Sequence, residues 1–211
     1  MPERFCYDFP RPQVTVDLVV FTYLDGKLKT LLIRRGRAPF AGKWAIPGGF
    51  LEMEEPEEAA ARRELKEETG IEVSGAIEPI GFFGRPGRDP RGRTITLAHA
   101  TVLRAGEHAI QGGDDAVEAA WVNLDADLEL AFDHVEILHV ARDWLRRGVA
   151  DDLGLRILPE SFSLDDVLGL FHELAIHRHR GFAWLARNLR RGRIRTGPEA
   201  SGQFHLAEPA T

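Results

Sequence analysis

Glu64, Glu67 and Glu68 are the residues of this sequence most plainly arranged for chemistry. On a helix the spacing i, i+3 and i+4 sets three carboxylates on one face, within a few ångströms of one another. Like charges so placed destabilise a helix by roughly a few tenths of a kcal/mol per pair, so the cluster calls for a divalent cation among them. Hard oxygen donors at this density suit Mg²⁺ or Mn²⁺, whose octahedral shells are completed by waters and phosphate oxygens. No cluster of His or Cys competes for that role. The chemistry this fits is attack of water on a phosphoanhydride, an anionic group that repels hydroxide until cations screen it and lower the pKa of bound water. Gly48 and Gly49, just upstream, let backbone approach a metal or phosphate closely. Arg63, four residues before Glu67, is placed to hold that carboxylate in orientation. A solvated Glu-rich helix with incidental salt bridges is the competing description.

These residues need elements to position them. Val14 to Tyr23 is dense in β-branched and aromatic residues, and Leu28 to Ile33 repeats the signal after an Asp25-Gly26 turn, which predicts a hairpin. Lys43 to Pro47 reads as a short extended piece leading into the Gly48-Gly49 turn. The acidic helix begins near Pro56 and ends at Gly70: Glu55 is the expected N-cap, Glu57 and Glu58 favour the positive end of the dipole, and Gly70 suits the left-handed C-terminal conformation. Further strands are expected at Ile80 to Gly84, Thr94 to Leu103 and Ala119 to Val122. Phe132 to Arg147 reads as an amphipathic helix with Asp133 as cap and Gly148 as stop. Strands packed with helices predict an α/β (α+β) sandwich. From Val149 to Pro159 the pattern weakens, as in a linker. Ser163 with Asp166 resembles a capping arrangement opening a helix to about Leu174. A second helix from about Gly181 to Arg191 and a hairpin of Arg193 to Thr196 with Gln203 to Leu206 complete the order of a winged helix-turn-helix.

From Gly49 the chain runs through five residues to Glu55, seven more to Arg63-Glu64-Leu65, then Glu67-Glu68 and Gly70-Ile71. These 23 positions resemble the Nudix box without departure. The resemblance implies a Nudix αβα sandwich with a mixed sheet and hydrolysis of a nucleoside diphosphate linked to another moiety. It also implies Glu64, Glu67 and Glu68 as metal ligands, Gly49 as a backbone ligand and Arg63 as an orienting partner, with Glu52 a candidate extension of the shell. Asp114, Asp115 and Glu118 are candidates for a general base and equally consistent with surface charge. Outside the box, the runs Pro39-Phe40, Gly42 to Phe50, Arg88-Asp89-Pro90-Arg91 and Leu130-Ala131-Phe132-Asp133-His134 look like the ADP-ribose pyrophosphatase branch and the related Nudix-type transcriptional regulators. Leu158-Pro159-Glu160 with Phe162-Ser163-Leu164 looks like the opening of those regulators' C-terminal winged helix. The second C-terminal helix departs from them, reading Gly181-Phe182-Ala183-Trp184-Leu185 where they tend to read Asn-Phe-Arg-Arg-Lys. Regulators of this kind commonly carry a damaged box, and this box is undamaged.

The expected division is an N-terminal extension over 1–12, a Nudix domain over 13–148, a linker over 149–160 and a small winged helix-turn-helix-like domain over 161–207. Arg34, Arg35 and Arg88 are candidate diphosphate partners, because guanidinium groups bind phosphate bidentately. Phe82, with Trp44 and Phe83, is a candidate for stacking on an adenine, against the commoner role of such residues in a core. His134 and His172 read as structural or solvated.

Composition bounds the partners. The 27 Lys and Arg against 33 Asp and Glu give a formal charge of -6, which argues against a non-specific polyanion binder. That average hides a basic stretch from Leu174 to Pro198 with seven arginines and no acid. These arginines fit DNA phosphates, or equally a basic face pairing with the acidic part of a neighbouring subunit. A homodimer is expected from the resemblance. One cysteine, Cys6, allows no internal disulfide, and no apolar run approaches a membrane span, so a cytoplasmic protein without a membrane partner is expected. Two functions remain in play, a metal-dependent hydrolase acting on ADP-ribose or a related compound and a ligand-sensing DNA-binding regulator.

Overall fold

In the computed structural model, residues 7–106, 110, 116–198 and 202–207 are described. Strand β1 (Gln13–Leu24) is buried along almost its whole length, and its period-two alternation explains why. Val16, Leu18 and Val20 face one way, into a cluster with Ala60, Ala61 and Leu65. Val19, Phe21 and Tyr23 face the other, into a cluster with Ile137, Ala141 and Leu145. A strand that is apolar on both faces needs a helix layer on each, and α1 (Glu57–Thr69) and α2 (His134–Gly148) supply them.

Around β1 the sheet has seven strands. β2 (Lys27–Arg35) pairs antiparallel with the C-terminal half of β1, and β4 (Gly48–Phe50) pairs antiparallel with its N-terminal half. β3 (Trp44–Ala45) and β7 (Ala116–Asn123) flank β2, while β6 (Thr94–Val102) runs parallel to β1 and carries β5 (Glu78–Phe83) on its outer edge. The sheet is therefore mixed, as expected.

The helix ends show where local signals yield to tertiary demand. Gly70 closes α1 at φ 72°, and its N–H donates to the Lys66 carbonyl. At the other end Pro56, not Glu55, holds the N-cap position, and the Glu55 carboxylate accepts instead from Arg63 and the Glu52 N–H. Asp133 does precede α2, yet it caps no N–H: both its oxygens accept from buried Arg88. Phe132, expected inside that helix, stands before it.

The segment expected as a linker instead contains α3 (Asp152–Ile157), with Leu153, Ile157 and Leu158 buried in the same cluster as α2. Six residues are too few for helical periodicity to declare itself. Beyond it come β8 (Ser161–Ser163), α4 (Leu164–Glu173), α5 (Arg178–Arg190), β9 (Ile194–Thr196) and β10 (Gln203–Leu206). The Ser163–Asp166 capping box is present in both directions. β10 lies between β8 and β9 in a three-stranded antiparallel sheet, so the expected hairpin gains a third strand. Trp184, at the point where the sequence departs from the regulators, is 1% exposed and packs near Phe171. Glu173, at the end of α4, accepts from Lys27 at 3.1 Å, and its carbonyl accepts from Arg142 at 2.7 Å, which ties this module to the first hairpin and α2.

Candidate active site

A cleft of about 340 Å³ opens where β4, α1, the 84–93 loop and the approach to α2 meet. Glu64 and Glu68 line it, together with Gly49, Arg35 and Arg88. Glu67, which lies between them in the chain, is exposed at the surface and does not line the cleft.

Arg63 organises the acids. Its Nη1 donates to Glu64 at 2.8 Å and to Glu67 at 3.2 Å, and its Nη2 donates to Glu55 at 2.5 Å and to the Phe50 carbonyl at 3.2 Å. One guanidinium thus binds three carboxylates and pins the loop before the helix. It holds the Glu55 carboxyl below its ordinary range and is itself pushed upward by the same contacts. Burial raises the Glu64 carboxyl, with Arg63 opposing. Burial raises Glu68 more, to about 8, with Glu64 and Asp17 adding like-charge repulsion and the Gly48 N–H at 2.9 Å opposing. Proximity of acids and partial desolvation are the conditions under which a hard cation binds strongly.

Among the described residues no three His, Cys, Asp or Glu side chains stand as a ready-made metal cage. The donor set nonetheless fits a divalent cation. Backbone and carboxylate meet so closely at Gly49 that an added Cβ would lie 2.3 Å from Glu64 Oε1. Only glycine leaves that approach open.

Opposite the acids, Arg88 is buried and bound to Asp133 at 2.6 to 3.0 Å, with Asp17 3.8 Å away. Burial alone would lower its pKa, but the hydrogen bonds and charges of these acids outweigh that and raise it. Arg88 therefore braces the wall as well as lining it. Thr96 donates to Asp17 at 2.6 Å, and the Ile46 N–H donates to His134 Nδ1 at 2.9 Å. Burial lowers the His134 pKa, so the imidazole is neutral in this wall.

The remaining candidates separate. Arg35 lines the cleft, whereas Arg34 lies outside it, donating to the Gly42 carbonyl at 3.0 Å and pairing with Glu118 at 3.7 Å. Phe82 is 76% exposed on the outer strand and does not line the cleft. Glu52 does line it, and Asp114 and Asp115 fall outside the described residues. Sequence reasoning passed over Asp17, Phe50, Arg91 and Phe132, all in the lining. Arg91 and Phe132 belong to runs that carry the family resemblance, so a signal was there. Phe132 is left-handed at φ 53°, and so is Phe40 at φ 62°, a conformation costing about 1–2 kcal/mol for a side chain of this kind.

In the C-terminal module, Arg187 donates to the Ala150 carbonyl and Arg193 pairs with Asp152 at 2.5 Å, while Arg178, Arg180, Arg190, Arg191 and Arg195 are exposed. No helix among the described residues is long and apolar enough to cross a membrane.

A carboxylate helix beside a glycine turn, in a mixed sheet covered on both faces, defines a class: the chain belongs to the Nudix family, whose NUDIX domain matches residues 11–141. It is 32% identical over 192 residues to the ADPR responsive transcriptional repressor NtrR of Acinetobacter baylyi, covering 88% of this chain and 75% of the relative. It is 39% identical over 135 residues to the ADP-ribose pyrophosphatase of Methanocaldococcus jannaschii, covering 64% and 74%. The crystal structure of Shewanella oneidensis NrtR complexed with a 27mer DNA resembles it with a TM-score of 0.72 and 26% identity, covering 92% of this chain and 93% of that one.

Proposed function

We propose that this chain is a metal-dependent hydrolase that cleaves the pyrophosphate linkage of ADP-ribose or a related nucleoside diphosphate derivative. The observation that carries the reading is the set of box acids beside one cleft: Arg63 holds Glu55, Glu64 and Glu67, the Gly48 N–H holds Glu68, and the cleft that Glu64 and Glu68 line also holds Arg35, Arg88 and Arg91. Likeness to an ADP-ribose pyrophosphatase over 135 residues supports the substrate class.

Glu64, Glu67, Glu68 and the backbone at Gly49 would hold Mg²⁺ or Mn²⁺. A cation held there supplies charge screening for the phosphates and acidifies water. Arg63 keeps the Glu64 and Glu67 carboxylates oriented, and the Gly48 N–H fixes Glu68. Arg35 is a cleft-wall partner for the diphosphate, and Arg88 positions that wall through Asp133. Hydrolysis adds water across the phosphoanhydride and releases two monophosphates.

The test is a panel of nucleoside diphosphate derivatives assayed with Mg²⁺ and with Mn²⁺. Glu67→Gln is expected to abolish turnover with the fold intact, and undiminished turnover in that variant defeats the assignment. A second reading, ligand-controlled DNA binding, is favoured by the likeness to NtrR across 88% of the chain and by the exposed arginines of 161–207. It is compatible with retained hydrolysis and with a homodimer in the cytoplasm. Salt-dependent, sequence-selective DNA retention weakened by ADP-ribose supports it, and no binding at low salt removes it.

A further inference from the structure

A second cavity, of about 290 Å³, lies away from the cleft and shares no lining residue with it. Its floor is the sheet, where Thr30 and Leu32 of β2 stand beside Val122 of β7. One wall is α2, and the other is the connection that follows β7, through Leu124, Leu128 and Leu130.

The α2 wall is a stripe of its own. Val135, Leu138, His139 and Arg142 recur at i, i+3, i+4 and i+7, so they share one helix face. The core takes a different set, Ile137, Ala141 and Leu145, all fully buried. Val135 is 46% exposed, so the mouth of the groove stays open among the described residues.

Thr30 is the feature that a purely structural groove does not need. Strand alternation sets it in line with Leu28 and Leu32, both in the core cluster, at a position where valine would pack as well. It is 2% exposed, and its hydroxyl has no hydrogen-bond partner among the described residues. A buried hydroxyl left without a partner carries a desolvation cost that a methyl group does not, so a group from outside the chain that met it would be bound favourably.

Charge at the mouth decides what kind of group fits. Arg142 is half-buried and spends Nη2 on the Glu173 carbonyl at 2.7 Å, an uncharged partner that leaves the positive charge in place. Asp127 is the opposing charge, but it is exposed, where water and salt screen an ion pair. A charge-assisted bond to the sheltered guanidinium is therefore stronger than one to the exposed carboxylate, and an anion is preferred. No charged side chain lines the floor, so the atom that meets Thr30 is neutral.

We propose that this groove binds a small amphipathic carboxylate, with a neutral hydroxyl or carbonyl on Thr30, an apolar ring or chain between the sheet and α2, and the acid at Arg142. A volume of about 290 Å³ suits a single-ring compound rather than a nucleotide. The site is independent of the hydrolase reading.

The test titrates the full chain with para-hydroxyhydrocinnamate, with hydrocinnamate, which lacks the distal hydroxyl, and with tyramine, its cationic counterpart, by calorimetry and by NMR. The parent chain is expected to bind para-hydroxyhydrocinnamate with a Kd of about 1 mM or tighter and tyramine at least about tenfold more weakly. Thr30→Val is expected to weaken para-hydroxyhydrocinnamate about tenfold and hydrocinnamate less than about twofold, while melting no earlier than the parent. Val135→Trp, a change at an exposed position, is expected to block the mouth and abolish binding, and Arg142→Gln to erase the preference for the acid over the amine. Saturating ADP-ribose is expected to leave the affinity unchanged. Absence of binding in the parent overturns the proposal, as does equal affinity for tyramine. Full affinity in Thr30→Val assigns the hydroxyl to water and overturns it too, and displacement by ADP-ribose moves the probe to the cleft with the same consequence.

Discussion

Gly49→Ala should separate the chemistry of this protein from its folding. A Cβ at that position would lie 2.3 Å from Glu64 Oε1 and 2.5 Å from Oε2, whereas ordinary contact begins near 3.4 Å. The obstructing group is the end of a flexible side chain, so the carboxylate retreats by roughly 1 Å and the backbone stays where it is. That retreat breaks the 2.8 Å contact with Arg63 and displaces a proposed cation ligand. A misplacement of this size in a catalytic constellation costs about 10²-fold in rate, or about 2.7 kcal/mol of barrier. Gly48→Ala is the control, because its Cβ would meet the Val16 carbonyl at 2.2 Å and the Asp17 Cα at 2.9 Å, both backbone atoms of β1. Nothing there can swing aside, so about 1–3 kcal/mol of stability is lost, at about 2–4 °C of Tm per kcal/mol for a chain of this size. Steady-state turnover of ADP-ribose and thermal melting, measured on both variants, check the contrast. A Gly49→Ala protein with parental kcat, or one that melts as early as Gly48→Ala, refutes the reasoning.

Asp133→Ala should leave the buried Arg88 guanidinium short of its main partner and destabilise the fold by about 3 kcal/mol or more, read as a lower midpoint in urea. Without metal, Glu68 should make the chain less stable as pH rises. Its folded pKa near 8 lies above the unfolded value, so the native state binds the extra proton and stability falls between about pH 4.5 and 8, by at most about 1.4 kcal/mol per unit. Glu68→Gln should flatten that slope in denaturant melts across the window, and an unchanged slope places the titration elsewhere. Ser163→Ala should remove the capping box of α4 and cost about 1 kcal/mol in thermal melts.

What could be read early was what nearby residues decide among themselves. The left-handed stop at Gly70 is local, and so is the capping box at Ser163; each depends on partners within a turn or two of helix. The same holds for the spacing of Glu64, Glu67 and Glu68. Arg34 and Arg35 are adjacent arginines at the end of one strand, with nothing in their types to tell them apart. Strand alternation sends them to opposite faces, and only Arg35 reaches the cleft.

The sequence by itself determined the acidic helix, the first strand hairpin and the helix, helix, hairpin order of the C-terminal module, because short-range periodicity and capping act over a few residues. Tertiary structure alone decided that Asp133 serves Arg88 rather than its helix, that residues 152–157 form a packed helix, and that Phe50, Arg91 and Phe132 line the same cleft as Glu64 and Glu68. Those outcomes depend on which distant groups are left unpaired once the sheet has formed. A buried guanidinium or a short apolar segment takes the partner that desolvation makes most valuable, and that partner is chosen across the fold rather than along the chain.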